Sequence, residues 1–306
     1  MNEPTPASLA VPAASLPAGG VALAAAGPAP SFLHRAARHP SFVIGAVLTA
    51  LLLTAAALSL VWTPWSPYEV RMDVALQAPS LQHWLGTDAF GRDVVSLLLV
   101  GARASILVGL IAVGIGLVIG TALGLLASAR RGWVEEGIMR LSDFTFAFPA
   151  ILSAIMLTAV FGPGLVNAII AIGIYNIPTF ARITRASANA VWSREFVLAA
   201  RACGKGPWSI TLEHVLPNIV SVLVVQATIR FAIAILAEAA LSYLGLGTQP
   251  PQPSWGRMLA EAQSLMFQAP FLAVFPGVAI VLAVLGLNLL GDGLRDLLDP
   301  RLARKR

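Results

Sequence analysis

An uncharged stretch of 26 residues, Ala104–Ala129, decides the fold and reads ASILVGLIAVGIGLVIGTALGLLASA. A transmembrane helix needs about 20 consecutive apolar residues, so this stretch is long enough to cross a bilayer. Arg130 and Arg131 follow it directly, and cations beside an apolar run are typical of the cytoplasmic side of a membrane. We therefore expect a membrane-spanning helix that ends in the cytoplasm.

Small residues recur along one side of this helix. Gly116, Gly120 and Gly124 are four residues apart, and Ala112 lies one step earlier. Small side chains on one face allow a second helix to approach closely. The pattern predicts either tight packing within the chain or an interface with another subunit.

The remaining uncharged stretches raise the expected number of spans to six. The 38 residues of Phe144–Ala181 are too many for one crossing, and Gly162-Pro163-Gly164 divides them into two spans. The other three spans are expected within Ser41–Trp62, Ile210–Leu246 and Ala262–Gly291.

Composition excludes a water-soluble enzyme and a secreted fold stabilised by disulfides. Hydrophobic residues make up 57% of the chain and charged residues 11%, whereas roughly a quarter of an ordinary soluble domain is charged. The single cysteine, Cys203, cannot form an internal disulfide, and Gly204-Lys205-Gly206 lacks the spacing of a phosphate-binding loop. We therefore expect no catalytic residues, no cofactor and no metal in this chain. No nucleic acid partner is expected, because the net charge of +5 comes from cations near the ends of the spans.

The positions of the cations predict the orientation, since cytoplasmic loops carry most Lys and Arg. With the N-terminus inside, three cations are external (Arg71, Arg92 and Arg257), and Arg103 and Arg230 lie in or beside spans. The other fifteen of the 20 are cytoplasmic: Arg35, Arg38, Arg130, Arg131, Arg140, Arg182, Arg185, Arg194, Arg201, Lys205, Arg295, Arg301, Arg304, Lys305 and Arg306. Both termini are then cytoplasmic.

A cytoplasmic loop of about 30 residues separates the fourth and fifth spans. A simple connection between two helices takes roughly 2 to 8 residues, so this loop is long enough to have a function. The small residues Ala199 and Ala200 are followed by the cations Arg201 and Lys205. Gly204 is placed to end a short helix. The pattern predicts either a helix that docks in a groove of a partner or an interfacial helix held by lipid phosphates.

Ala199-Ala200, followed after three residues by Gly204 and later by Leu216-Pro217, resembles the EAA loop of bacterial ABC importer permeases. Leu198 and His214 depart from that pattern, at the places of its Glu and its usual Ile. Three more stretches resemble the peptide branch of the family: LGTDAFGRD at 85–93, LSYLGLG at 241–247 with Pro250-Pro251 and Trp255-Gly256, and GDGLRDLLDPR at 291–301. From about residue 32 to 303 the chain is similar to the C-type permease subunit of dipeptide and oligopeptide importers.

The resemblance implies an all-α integral membrane protein with six transmembrane helices in the type I ABC importer permease fold, located in the bacterial inner membrane. It implies a heterodimer with a second permease subunit, two ATPase subunits that bind ATP and Mg, and a periplasmic or lipid-anchored binding protein that delivers a peptide-like substrate. In that family the loop forms a coupling helix seated in the ATPase. The ATPase-coupling residues carried over to this chain are Glu195, Ala199, Ala200, Arg201, Gly204, Leu216 and Pro217.

The expected organisation has four parts. Residues 1–31 form a disordered cytoplasmic tail, and 32–62 hold the first span with its cytoplasmic lead. A periplasmic segment follows at 63–93, and 94–306 form the permease core with five spans, the coupling loop 186–217 and a cytoplasmic end.

Charged residues within spans are candidates for a functional role, because an unpaired charge in the membrane is costly. Arg230 lies about 20 Å along the fifth span from Pro217, near the midplane, where it could meet a peptide carboxylate in transit or a structural partner on the companion permease. Arg103 and Glu238 are both expected near the outer boundary. They are predicted to form a structural pair or to extend to the headgroups.

Two alternatives to a peptide permease remain open at this point. A member of the same family could import glutathione or a nickel complex, because the separate binding protein does much of the selection. An ion-coupled secondary transporter is more remote, since it has no need of an ATPase socket between residues 182 and 216.

Overall fold

The computed structural model describes residues 32–298, and the regular elements of this range are helical. The tail predicted at 1–31 lies outside the described residues. The helices are α1 (Phe32–Ala37), α2 (Pro40–Leu58), α3 (Val94–Ala129), α4 (Trp133–Ala147), α5 (Ala150–Phe161), α6 (Leu165–Trp192), α7 (Glu195–Ala202), α8 (Pro207–Ile210), α9 (Leu216–Tyr243), α10 (Trp255–Ala262) and α11 (Phe271–Leu298).

Within residues 32–298, five helical stretches are long and apolar enough to cross a membrane: Pro40–Leu58, Val94–Ala129, Leu165–Trp192, Pro207–Tyr243 and Phe271–Leu298. The sixth predicted span corresponds to α4 and α5, which pass the same test only as a pair and are bent by 85°. The all-helical membrane fold is therefore confirmed, with one span broken.

The break between α4 and α5 has a local cause. Phe148 has extended dihedrals, with φ −99° and ψ 133°, because the ring of the following Pro149 disfavours a helical conformation. The turn expected at Gly162-Pro163-Gly164 is confirmed, since α5 ends at Phe161 and α6 begins at Leu165.

The small face of α3 packs against α6 within the same chain. A Cβ atom at Gly120 would lie 2.6 Å from the Cβ of Phe180 and 2.5 Å from the carbonyl oxygen of Ile177. Gly116 and Gly124 approach Asn176 and Thr184 in the same way. Of the two interpretations of this face, packing within the chain is the one that the structure confirms.

Two apolar cores hold the helices together. One forms where α3, α6 and α9 meet and also buries Val197 of α7. The other lies between α2, the outer part of α3, α9, α10 and α11. Phe231 of α9 packs against both cores, so α9 connects the core that includes Val197 of α7 with the core around α10 and α11.

Pro217, the expected end of the coupling loop, lies inside the helix of the fifth span. The helix is continuous from Pro207 to Tyr243, with a π-helical turn at Thr211–Val215. In that turn the N–H of Leu216 donates to the carbonyl of Thr211, five residues earlier. Proline lacks an N–H and crowds the preceding turn, and a widened turn next to Pro217 accommodates it.

Candidate coupling site

The loop predicted at 186–217 begins later in the structure, because α6 continues to Trp192. We call residues 193–217 the coupling segment. Its first helix, α7, is anchored by Val197, which is fully buried. Phe196 and Leu198 on either side are 46% and 52% exposed. The short helix therefore holds to the core by one side chain and presents apolar side chains outward.

Gly204 ends α7 in the conformation expected of a helix C-terminus. Its φ is +82°, in the left-handed region, and the N–H of Lys205 donates to the carbonyl of Ala200 at 3.2 Å. Nothing lies within 4 Å of the position that a Cβ would take. Glycine is thus favoured at this position by the backbone conformation rather than by lack of space.

Three contacts brace the coupling segment internally. The guanidinium of Arg201 lies over the ring of Trp192, 5.3 Å from its centroid. Lys205 forms an ion pair with Glu213, and the hydroxyl of Ser209 donates to the same carboxylate at 2.7 Å. The rings of Phe196 and His214 meet edge to face at 6.2 Å between centroids. The segment is therefore a folded unit attached to the ends of α6 and α9.

The structure brings the predicted coupling residues to two places. Glu195, Ala199, Ala200 and Arg201 lie on α7, with Gly204 at its end, and all but the half-buried Ala200 are exposed. Leu216 and Pro217 lie after the π-helical turn, where Leu216 packs against the same core as Ala200.

Sequence reasoning missed two members of this site. Trp192 is almost fully buried beneath Arg201, and Glu213 joins the π-helical turn to Lys205. A signal for the second was present, since Lys205 and Glu213 have opposite charges on the two sides of Pro207. No comparable signal distinguished Trp192 from the other tryptophans near a membrane surface.

Arg230 lies in the middle of the fifth span, as its sequence position predicted. The side chain is half-buried, and its Nε has no hydrogen-bond partner in the described part of the chain. Tyr175 of α6 is its electrostatic neighbour. The Nε of Arg230 therefore has unused donor capacity within the helical bundle.

The predicted pair of Arg103 and Glu238 is not formed. Glu238 is fully buried, and its carboxylate accepts hydrogen bonds from the hydroxyls of Ser242 at 2.6 Å and Thr248 at 3.2 Å. Among residues 32–298, no ion pair joins it to Arg103. Arg103 instead lines a pocket of about 660 Å³ with Leu53 of α2. The two residues expected to pair therefore have different surroundings, and Glu238 does not extend to the headgroups, because it is fully buried.

The external segments are joined by ion pairs. Arg92 donates to Asp88 at 2.6 Å and to Glu261 of α10 at 2.9 Å. Asp93 caps α3 by accepting from the N–H of Ser96, and its carboxylate also contacts His83 at 3.0 Å. The segment before α3 and the segment around α10 therefore form one folded surface on the external side.

Apolar helices of spanning length, with a folded segment and an exposed short helix at one end, define a polytopic membrane protein. The family model described as "Binding-protein-dependent transport system inner membrane component" matches residues 112–304. The chain belongs to this family.

Curated relatives support the same assignment. The glutathione transport system permease protein GsiD of Pectobacterium atrosepticum is 45% identical over 264 residues, 85% of this chain and 87% of the relative. GsiD of Escherichia coli O157:H7 is 47% identical over 269 residues, 87% of this chain and 88% of the relative. The dipeptide transport system permease protein DppC of Alkalihalophilus pseudofirmus is 43% identical over 260 residues, with shares of 85% and 86%.

A chain in the solved structure of the MetNI methionine ABC transporter, in an inward-facing conformation, has the same fold. The TM-score is 0.57 at 20% identity, and the match covers 66% of this chain and 97% of that one. The protein is therefore an inner-membrane permease component of an ABC importer, and the predicted type I fold is confirmed.

Proposed function

We propose that this chain lines, together with a second permease subunit, the path of a peptide or peptide-like substrate that a binding protein delivers from outside. The proposal is supported by the names of the relatives, which are dipeptide and glutathione permeases, and glutathione is itself a tripeptide. Two separate ATPase subunits would bind ATP and Mg, and this chain would contribute no cofactor of its own.

The coupling segment is the part of the chain that would contact an ATPase subunit. Ala199 and Gly204 allow close approach of a partner, while Phe196 and Leu198 offer apolar area to bury. Glu195 and Arg201 would make the polar contacts. The exposed apolar side chains on a helix anchored by the fully buried Val197 are the observation that carries this proposal.

Force would pass from the ATPase to the spans through two routes. Arg201 and Trp192 connect α7 to α6, and the pair of Lys205 and Glu213 connects the segment to the continuous helix Pro207–Tyr243. Because that helix has no break at Pro217, a tilt imposed at Pro207 would reach Arg230 in the middle of the span.

Glutathione is the second candidate substrate, because two relatives named as glutathione permeases are 45% and 47% identical to this chain. A nickel complex has no such support among the relatives described above. Membership in the family is also evidence against an ion-coupled carrier.

Two measurements test the proposal. The tagged protein is purified from native membranes in mild detergent, and its partners are identified by mass spectrometry; a second permease and an ATPase are expected. Uptake of labelled dipeptides, longer peptides and glutathione is then compared. Recovery of the chain alone, with transport that does not need ATP, would contradict the proposal.

A matched pair of variants tests the coupling role. Gly204→Arg forces a side chain onto a left-handed backbone, whereas Gly206→Arg changes a glycine with an ordinary φ of −72° and equally open surroundings. We expect Gly204→Arg to remain in the membrane and to lose ATP-driven uptake, while Gly206→Arg retains most of it. Equal uptake by both variants would contradict the coupling assignment.

A further inference from the structure

A pocket of about 280 Å³ lies at the cytoplasmic end of the bundle. Ser128 and Ala129 at the end of α3 form one side, and Lys205 and Pro207 of the coupling segment form another. Trp192 at the end of α6 completes the wall. The pocket thus lies between the membrane spans and the segment that would transmit force to them.

The lining of this pocket is cationic. Arg131, Arg201 and Lys205 line it, and no carboxylate of the described residues does. Lys205 is neutralised by its ion pair with Glu213, and Arg201 lies over the ring of Trp192. Arg131 is exposed, and within residues 32–298 its side chain takes part in no ion pair or hydrogen bond. Two positive charges are therefore left without a counter-ion.

Trp192 supports one of these cations. Its side chain is 5% exposed, its indole Nε1 is buried, and its ring lies beneath the guanidinium of Arg201. An anion with several acceptor oxygens would pair with the guanidinium groups of Arg131 and Arg201 together.

We propose that this pocket binds the phosphate group of an anionic phospholipid from the inner leaflet. The pocket lies where the apolar stretch of α3 ends at Ala129 and cations begin, which is the depth of the cytoplasmic headgroups. Anionic lipids are concentrated at that surface and are attracted by Lys and Arg. The bound lipid connects α3 with the coupling segment.

This site goes beyond the transport role proposed above, because it makes coupling dependent on lipid composition. Arg201 also belongs to the proposed ATPase contact, and Trp192 to the proposed force route, so the test uses Arg131, which belongs to neither. If the lipid site is disproved, the proposed ATPase contact is unaffected. If the ATPase contact is disproved, the proposed lipid site is likewise unaffected.

The test uses the purified importer complex and native mass spectrometry. Phosphatidylglycerol, phosphatidylcholine or inorganic phosphate is added to wild type and Arg131→Gln. Arg140→Gln is the matched control, because Arg140 is an exposed cytoplasmic arginine that pairs with Glu136 away from the pocket. Size-exclusion chromatography verifies that each complex is intact. Arg131→Lys replaces Arg131→Gln if the latter does not assemble, and its retention of phosphatidylglycerol should equal that of wild type.

We expect wild type and Arg140→Gln to retain phosphatidylglycerol in preference to phosphatidylcholine, and Arg131→Gln to retain about fivefold less. Equal retention by Arg131→Gln and Arg140→Gln overturns the proposal. If the complex retains inorganic phosphate but no lipid, the pocket binds free phosphate and the proposal of a lipid ligand is wrong. If the separated chain binds lipid but the complex does not, an ATPase side chain occupies the pocket and the proposal is wrong.

Discussion

The guanidinium carbon of Arg201 lies 5.3 Å from the ring centroid of Trp192. Trp192 is the last residue of the span α6, and Arg201 belongs to the last turn of α7. A short exposed helix is thereby held directly against a membrane span. A displacement of α7 would therefore reach α6 through this contact.

Loss of this contact should weaken coupling. Because a partly exposed cation–π contact contributes about 0.5–1 kcal/mol, we expect Arg201→Gln to reduce ATP-driven uptake about two- to fivefold at unchanged protein level. Arg194→Gln is the control, since Arg194 is exposed at the other end of α7. Uptake in membrane vesicles measures the effect, and equal values for both variants would contradict the role of the contact.

The close approach of α3 and α6 predicts a size limit at Gly120. We expect Gly120→Ala to destabilise the chain by about 1–3 kcal/mol, since its Cβ would overlap Phe180 and the backbone of Ile177. Gly114→Ala on the same helix has nothing within 4 Å of its Cβ and should be neutral. Thermal unfolding in detergent compares the two. A similar unfolding temperature for both would mean that the helices are not packed as described.

Glu238 should depend on its hydroxyl partners and not on Arg103. We expect Glu238→Ala to cost about 1–3 kcal/mol, because the buried hydroxyls of Ser242 and Thr248 lose their acceptor. Glu238→Gln keeps an acceptor oxygen and should be milder. The effects of Glu238→Gln and Arg103→Gln should add within about 0.5 kcal/mol in a double-mutant cycle. A larger coupling energy would show that Glu238 and Arg103 interact, which would contradict the structure.

Arg230 should distinguish substrates by their charge. If its guanidinium meets a carboxylate in transit, Arg230→Gln lowers uptake of peptides with a free C-terminus and leaves the uptake of amidated peptides unchanged. Arg230→Lys keeps the charge and should retain part of the activity. Competition between labelled peptides with and without the carboxylate measures this. Unchanged uptake of both kinds would assign Arg230 a structural role.

Much of the fold was predictable from the sequence because the length of a span is limited by the bilayer. The uncharged stretches and Gly162-Pro163-Gly164 located five spans and one sharp turn. The bend at Pro149 was not predictable, since other prolines, Pro178 and Pro276, lie inside continuous helices. Whether a proline breaks a span depends on the neighbours that support its backbone.

The candidate site was predicted in part for a similar reason. The pattern from Ala199 to Gly204 identified α7, because a helix end and small residues are local features. The partners of charged residues are not local. Glu238 and Arg103 were expected at a similar depth, but sequence position does not show which way each helix is rotated.

The central claim is that α7 lies against an ATPase subunit, and Cys203 at its end allows a direct measurement. Cys203 is the single cysteine of the chain and is exposed. A maleimide carrying a photoreactive group is attached to it in the native complex, with Cys203→Ser as the control, and the cross-linked product is identified by mass spectrometry. We expect an adduct with the ATPase subunit that is absent from the control. Adducts with lipid or the second permease alone, in a complex that contains the ATPase, would contradict it.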